Sequence, residues 1–404
     1  MTLTVFFWGT LVLYGGSSLW WVFEITVLAY DWEADSLTEI GLTDIQVRIL
    51  TVDSASTVQV SVNSLPEQLD DIKVIAETEI DIDGADVHVP PDDFECQAQR
   101  KGRAIEWARR HVPCDREYVL YLDEDTIVIN LEGLPAADVI QISEHPLRTG
   151  SRLAYLCEVF RIGYQREQRA FHRLAYPLYA WGGAVAVRRD LENKITWDVP
   201  TITEDTTFIW RAAKYLDQQD EQLDYQLVNG RFRNQAPPSL SAMINQRRRW
   251  LSGTVDDMHR LPRRYLPLQF TRIITWTVSP LIPLLSVVAF LFPGVVPQHN
   301  LYQIASTGLF GMLFVYTTAG MLEYRTYPEV GLLHLIITPF TVVIYAVGAL
   351  WGFLRPVSDF EVTEKTAGQV DVETLSEENP GFSQADVDSS DDTESVVESD
   401  SANK

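Results

Sequence analysis

The 404-residue chain carries 56 Asp and Glu against 32 Lys and Arg, a net charge of −24, with 46% of its residues hydrophobic. So acidic a chain excludes a nucleic-acid partner. The three cysteines, Cys96, Cys114 and Cys157, form no close pair and no metal-ligand spacing, which excludes a disulfide scaffold and fits buried thiols in a reducing compartment. The length leaves room for one sizeable soluble domain plus membrane segments.

Residues 3–30 form an apolar run whose one charge is Glu24. It is long enough to span ~30 Å of hydrocarbon at ~1.5 Å per residue. No basic segment precedes it and no small-residue cleavage site follows, so residues 1–30 read as a membrane anchor. Gly15-Gly16-Ser17-Ser18 in its middle allow a kink or a re-entrant turn.

From residue 45 strand and helix signals alternate. Residues 47–52 read as a buried strand, 58–69 as a helix, 71–77 as a second strand, 98–110 as a helix and 118–122 as a third strand. That alternation predicts an α/β domain with a mostly parallel sheet over about 45–260. The third strand ends in Asp123-Glu124-Asp125-Thr126, and ligands of open α/β sheets bind beyond the carboxyl ends of strands. Residues two apart in an extended segment point the same way, so Asp123 and Asp125 can face one Mg²⁺ or Mn²⁺. An acidic strand-end turn accounts for the same residues.

Trp181-Gly182-Gly183 precedes another strand, 184–187. A glycine pair beside an indole lets a sugar approach the backbone closely. Further on, Glu204 and Asp205 follow Thr203 at the start of an apolar helix. Two roles fit them: Thr203 capping the helix with two acids at the positive end of its dipole, or Asp205 as a general base taking a proton from a hydroxyl.

Gln246, Arg249 and Trp250 fall at i, i+3 and i+4, placing an amide, a guanidinium and an indole on one helix face. These groups suit phosphate binding and stacking on a sugar. Arg247 and Arg248 lie off that face and, with Arg260, Arg263, Arg264 and Arg272, fit a juxtamembrane segment against anionic lipid on the cytoplasmic side. A second basic stretch, Arg161, Arg166, Arg169, His172 and Arg173, predicts an interfacial amphipathic helix. Three apolar runs follow, about 273–296, 301–322 and 330–354, so that 273–354 reads as three transmembrane helices. One span before the domain and three after it place the tail outside the cell. That tail, 357–404, holds 14 Asp and Glu against Lys365 and Lys404, and its composition predicts disorder. Six Lys against 26 Arg, with excess carboxylate, fits a halophilic protein.

The order of Leu122 to Thr126, Thr203 to Thr207 and Q-x-x-R-W before membrane helices resembles membrane-bound family 2 glycosyltransferases, distant relatives of cellulose and hyaluronan synthases. Lys101 to Ala104, Trp181 to Gly183 and Gln246 to Gly253 resemble the egghead-type β-1,4-mannosyltransferases. The resemblance covers about residues 45–260 and implies an A-type glycosyltransferase fold. It further implies a nucleotide-sugar donor (GDP-mannose or a UDP-hexose) held by Glu77, Lys101, Asp123, Asp125, Gln246, Arg249 and Trp250, with Mg²⁺ or Mn²⁺ on Asp123 and Asp125. Asp205, beside Glu204, becomes the catalytic base, and Trp181, Gly182 and Gly183 line the acceptor site. Glu77 stands where the family usually has an Asp. The implied reaction is inverting transfer of a hexose to a lipid-linked acceptor by a multi-pass cell-membrane protein whose catalytic domain is cytoplasmic. The alternatives are a processive polysaccharide synthase, for which one plus three helices is a meagre channel, and a non-catalytic membrane scaffold, which would leave the order of the clusters a coincidence.

Overall fold

The computed structural model describes residues 2–33, 38–181, 183–323, 331 and 333–357. Gly182 and the acidic tail beyond Val357 lie outside the described residues. The chain forms two compact units, one from Met1–Trp32, Ser151–Arg173 and Ser239–Phe360, the other from Glu33–Gly150 and Leu174–Pro238.

In chain order, α1 (Thr2–Phe23) runs on into a π-helical turn (Glu24–Leu28) and is followed by β1 (Ile45–Thr51), α2 (Ala55–Asn63), β2 (Ile72–Ala76) and β3 (Asp86–His88). Next come α3 (Lys101–His111), β4 (Tyr118–Asp123), β5 (Ile127–Asn130), β6 (Val139–Leu147) and α4 (Arg152–Gln165), which passes into a 3₁₀ helix (Arg166–Arg173). The chain continues with β7 (Ala184–Arg188), α5 (Arg189–Ile195), α6 (Glu204–Asp217), β8 (Tyr225–Gln235) and α7 (Leu240–Asp257). It closes with α8 (Leu266–Val278), α9 (Leu281–Leu291), α10 (His299–Glu323) and α11 (Leu333–Leu354).

The sheet unit has strand order β3-β2-β1-β4-β7-β6-β8-β5. β3, β2, β1 and β4 run parallel, as do β6 and β8, while β7 is antiparallel to β4 and β6, and β5 to β8. The sheet is thus mixed and mostly parallel. Val47, Ile49, Val74, Leu120, Leu122 and Ala186 are fully buried in its core, as strands covered on both faces require. On the other face of β1, Gln46 and Arg48 are buried too. Arg48 donates to Tyr121 Oη at 3.0 Å and to Gln46 Oε1 at 2.8 Å, and the buried Glu192 carboxylate 3.9 Å away balances its charge. The helix expected over 58–69 is α2, three residues earlier and ended ahead of Pro66. The helix expected from residue 98 starts at Lys101, because Arg100 takes a left-handed φ of 51°.

In the other unit, Gly15-Gly16-Ser17-Ser18 do not bend the chain: α1 is continuous through them. α10 lies alongside, with Leu309 at an ordinary 3.8 Å from where a Gly15 Cβ would stand and Tyr316 Oη donating to Ser18 Oγ at 3.2 Å. The run expected as one helix over 273–296 breaks at Ser279-Pro280, and α8 and α9 meet at a bend of 60°. Pro280 has no N–H to continue the amide ladder, so the helix breaks there although Ser279 keeps helical dihedrals. Among the described residues, Leu3–Leu28, His299–Glu323 and Leu333–Leu354 are long and apolar enough to cross a membrane, with the bent pair a fourth if it is one span.

The cations of the basic stretch after Ser151 are paired within the protein. Arg161 is buried and donates to Glu158 at 2.5 Å. Arg166 and Arg169 share Glu323, and Arg173 pairs with Asp31. Arg272 likewise pairs with buried Glu167 instead of facing lipid. Each cation has found a carboxylate from elsewhere in the chain or one turn away, which is how the buried guanidinium of Arg161 is tolerated, while Arg173 stays exposed.

Candidate active site

β1, β2 and β4 end at one edge of the sheet. Glu77, just beyond β2, is exposed, and its amide donates to Val52 O at 3.1 Å beside the end of β1. At the end of β4 the chain turns at once: Thr126 N donates to Asp123 O at 3.1 Å. The alternation that would point Asp123 and Asp125 the same way therefore stops at Asp123.

Every residue of that turn has its own anchor. Glu124 is buried, accepts from Thr51 Oγ1 at 2.6 Å, and offers its carbonyl to Ser61 Oγ at 2.6 Å. Asp125 is 2% exposed and accepts from Gln235 N at 2.7 Å. Thr126 Oγ1 donates to Gly183 O at 2.7 Å and accepts from Asn234 Nδ2 at 2.8 Å. Asp123, whose side chain is 39% exposed, is the carboxylate of the turn that solvent reaches.

Lys101, the first residue of α3, joins Asp123 to the start of α6. Its Nζ lies 2.7 Å from Asp123 Oδ1 and 3.6 Å from Glu204 Oε1. Burial opposes the Lys101 charge, but Asp123, Asp205 and Glu204 outweigh it and hold the ammonium well above its usual pKa. Burial pushes the Asp205 carboxyl up to about 7, with Lys101 drawing it down and Glu204 and Asp123 adding to the rise. A carboxyl poised near neutrality is what a general base needs. Thr203 occupies the N-cap position without a side-chain cap hydrogen bond, while Glu204 and Asp205 do stand in the first turn of α6, at the positive end of its dipole. Thr206 instead ties the first turn of α6 to Ala180, exchanging hydrogen bonds of 3.1 and 3.0 Å with its backbone.

Trp181 is held by Gln141, which accepts from Trp181 N and donates to Trp181 O, both at 3.2 Å. Gly183 is buried, and a Cβ there would lie 2.8 Å from Glu144 Oε2 and 2.9 Å from Asn234 Nδ2. Its lack of a side chain admits these neighbours. The structure thus gathers Lys101, Asp123, Glu204 and Asp205 directly, with Trp181 and Gly183 attached through Thr206 and Thr126. Gln246, Arg249 and Trp250 lie on α7 in the other compact unit. The sequence patterns miss Gln141, Glu124 and Thr206, whose partners are distant in the chain.

Among the described residues no group of three or more His, Cys, Asp or Glu is arranged to hold a metal ion. One accessible carboxylate at a strand end still fits a Mg²⁺ or Mn²⁺ that takes most of its ligands from water and substrate phosphate.

On this mixed, mostly parallel sheet a strand-end acid is thus paired with a lysine, beside a carboxyl that burial brings near neutrality. The family model described as Glycosyl transferase family group 2 matches residues 118–353, more than half of the chain, and the chain belongs to that family. It is 23% identical over 297 residues to beta-1,4-mannosyltransferase egh of Drosophila melanogaster, a match covering 66% of this chain and 63% of that enzyme's length. Its structure aligns with that of the mannosyltransferase PcManGT from Pyrobaculum calidifontis in complex with GDP-Man and Mn²⁺, with a TM-score of 0.47 and 13% identity over 87% of this chain and 97% of that one.

Proposed function

We propose that the protein is an inverting, metal-dependent hexosyltransferase that moves a hexose from a nucleotide sugar to a lipid-linked or membrane-associated glycan. The observation that supports this most is the Lys101–Asp123 pair beside Glu204 and Asp205 at the carboxyl edge of the sheet. Asp205 takes the proton of the acceptor hydroxyl as its oxygen attacks the anomeric carbon. The bond from that carbon to the diphosphate breaks on the opposite side, so configuration inverts and the nucleoside diphosphate leaves with the bonding electrons. Lys101 places positive charge beside that leaving group. Asp123, with Asp125 behind it, would hold a Mg²⁺ or Mn²⁺ that supplies further neutralisation of the diphosphate. Gln246, Arg249 and Trp250 are assigned to diphosphate and acceptor by sequence resemblance.

The long apolar helices support placement as a multi-pass membrane protein, and the basic residues around α7 support a cytoplasmic catalytic face. Resemblance to a mannosyltransferase puts mannose first among donor sugars. The test uses full-length protein in lipid nanodiscs with GDP-mannose and UDP-hexoses, membrane lipid extract, and Mn²⁺ or EDTA. Transfer is expected from wild type with Mn²⁺, falling ~100-fold or more in Asp205→Asn while donor binding persists. Equal turnover by the two proteins, or indifference to EDTA, overturns the proposal.

A further inference from the structure

The helical spacing around α7 assigns Arg247 to lipid along with Arg248, yet Arg247 is 0% exposed. Met243, Arg247 and Leu251, four residues apart, form the buried stripe of α7. Gln246, Arg249 and Trp250 are each partly exposed. A guanidinium on a buried stripe must be paired, and this one has an anchor and two neighbours from the motif itself.

The anchor is Glu158 of α4. Arg247 Nη2 donates to Glu158 Oε1, and Arg161 holds the other oxygen of that carboxylate at 2.5 Å. From this fixed position Arg247 Nη1 donates to Gln246 Oε1 at 2.6 Å. Its guanidinium carbon lies 4.1 Å from the centroid of the Trp250 ring and 5.1 Å from that of Tyr345 in α11. Arg161 also lies over Trp250, at 5.8 Å. The backbone of α11 comes close enough to complete the enclosure because residue 348 is glycine: a Cβ there would stand 2.7 Å from Arg247 Cβ.

We propose that Arg247 is a positioning residue, locked by Glu158, that fixes the amide of Gln246 and the indole of Trp250 in the orientations that bind substrate. This inference deepens the glycosyltransferase reading and rests on it for its functional half. The planar fork explains why arginine serves here: one guanidinium edge makes the ion pair, another nitrogen meets the amide, and the flat face covers the indole. Lysine can make the first contact alone.

The test uses full-length protein in nanodiscs labelled with 5-fluorotryptophan, the Trp250 ¹⁹F resonance being assigned by Trp250→Phe. Arg247→Gln and Arg247→Lys are expected to move or broaden that resonance and to raise KM about tenfold, on the scale of a small misplacement of binding groups. Glu158→Gln is expected to give a weaker form of both effects, and it decides the matter if the Arg247 variants do not fold. Arg248→Ala is the control, since Arg248 contacts Arg355 O and Trp351 and touches neither Gln246 nor Trp250 in this structure. The KM effect of Arg247→Gln should shrink to less than about twofold in a Gln246→Ala/Trp250→Phe background, where Arg247 has nothing left to orient. An unmoved Trp250 resonance, an unchanged KM, or an effect equally large in that background overturns the proposal. Wild type inactive with every donor would refute the functional reading, while the ¹⁹F spectra would still show whether Arg247 orients Trp250.

Discussion

Lys101 and Asp123 are joined by a 2.7 Å ion pair between the first residue of α3 and the last residue of β4. Asp205 lies within the field of the same ammonium, which draws its pKa down from where burial would put it. Replacing Lys101 by Met removes that pull, so Asp205 holds its proton to higher pH. Because a base works when deprotonated, the acid limb of kcat/KM should lie at higher pH in Lys101→Met than in wild type. A divalent cation at Asp123 acts in the same direction as Lys101, so the wild-type limb should fall at or below about 7. An unmoved limb would separate Lys101 from the base.

The same carboxyl makes a prediction about stability. Its folded-state pKa, about 7, lies above the ordinary 3.8. Between those values the folded state binds more protons than the unfolded one, so this group's contribution to stability declines as pH rises through that window. Asp205→Asn cannot ionise and escapes the decline. Its advantage should be near zero at pH 4 and complete above pH ~7, on the order of 1 kcal/mol for this partly exposed site, or a Tm rise of ~2–4 °C. Calorimetry or fluorimetric melting at the two pH values checks it, and a Tm difference independent of pH would refute it.

Asp123 and Asp125 should separate cleanly on substitution. Asp125 is buried and accepts from Gln235 N, so Asp125→Asn is expected to cost about 1–3 kcal/mol of stability. Asp123 is partly exposed, and its pair with Lys101 is worth less than about 1 kcal/mol once screened. Asp123→Asn should therefore keep its melting temperature within a few degrees while losing Mn²⁺ and donor affinity, measured by titration calorimetry. The reverse pattern would move the metal contact to Asp125.

The parallel strands at the site are legible in the sequence because β1, β2 and β4 are short runs of residues that bury on both faces. Asp123 is legible as a strand-end acid, and Asp205 as an acid opening a helix. What the turn does is not: Glu124 reads as a spacer until Thr51 and Ser61 are seen to hold it. Arg247 reads as one more surface cation, because its partner Glu158 lies 89 residues away. Local pattern records which face a residue takes and stays silent about what meets it there. The Gly-Gly pair of α1 shows the same limit, since it suggests a bend where the helix runs on unbroken.

That limit leads to a last contrast among the glycines of the apolar helices. A Cβ at Gly16 would meet nothing within 4 Å. Gly16→Ala should therefore be neutral, or stabilise α1 by up to about 1 kcal/mol through helix propensity alone. Gly348 and Gly352 of α11 differ: added Cβ atoms there would land on the carbonyl oxygens of Ile244 and Arg248 in α7. These are backbone atoms of a packed helix and cannot rotate away. Gly348→Ala must push α7 and α11 apart, at about 1–3 kcal/mol of overpacking. The displacement should also loosen Arg247 from Tyr345 and raise KM. Thermal melting in nanodiscs, read beside the kinetics, tests both halves, and a Gly348→Ala protein as stable and active as Gly16→Ala would show that the two helices are not pressed together in the membrane.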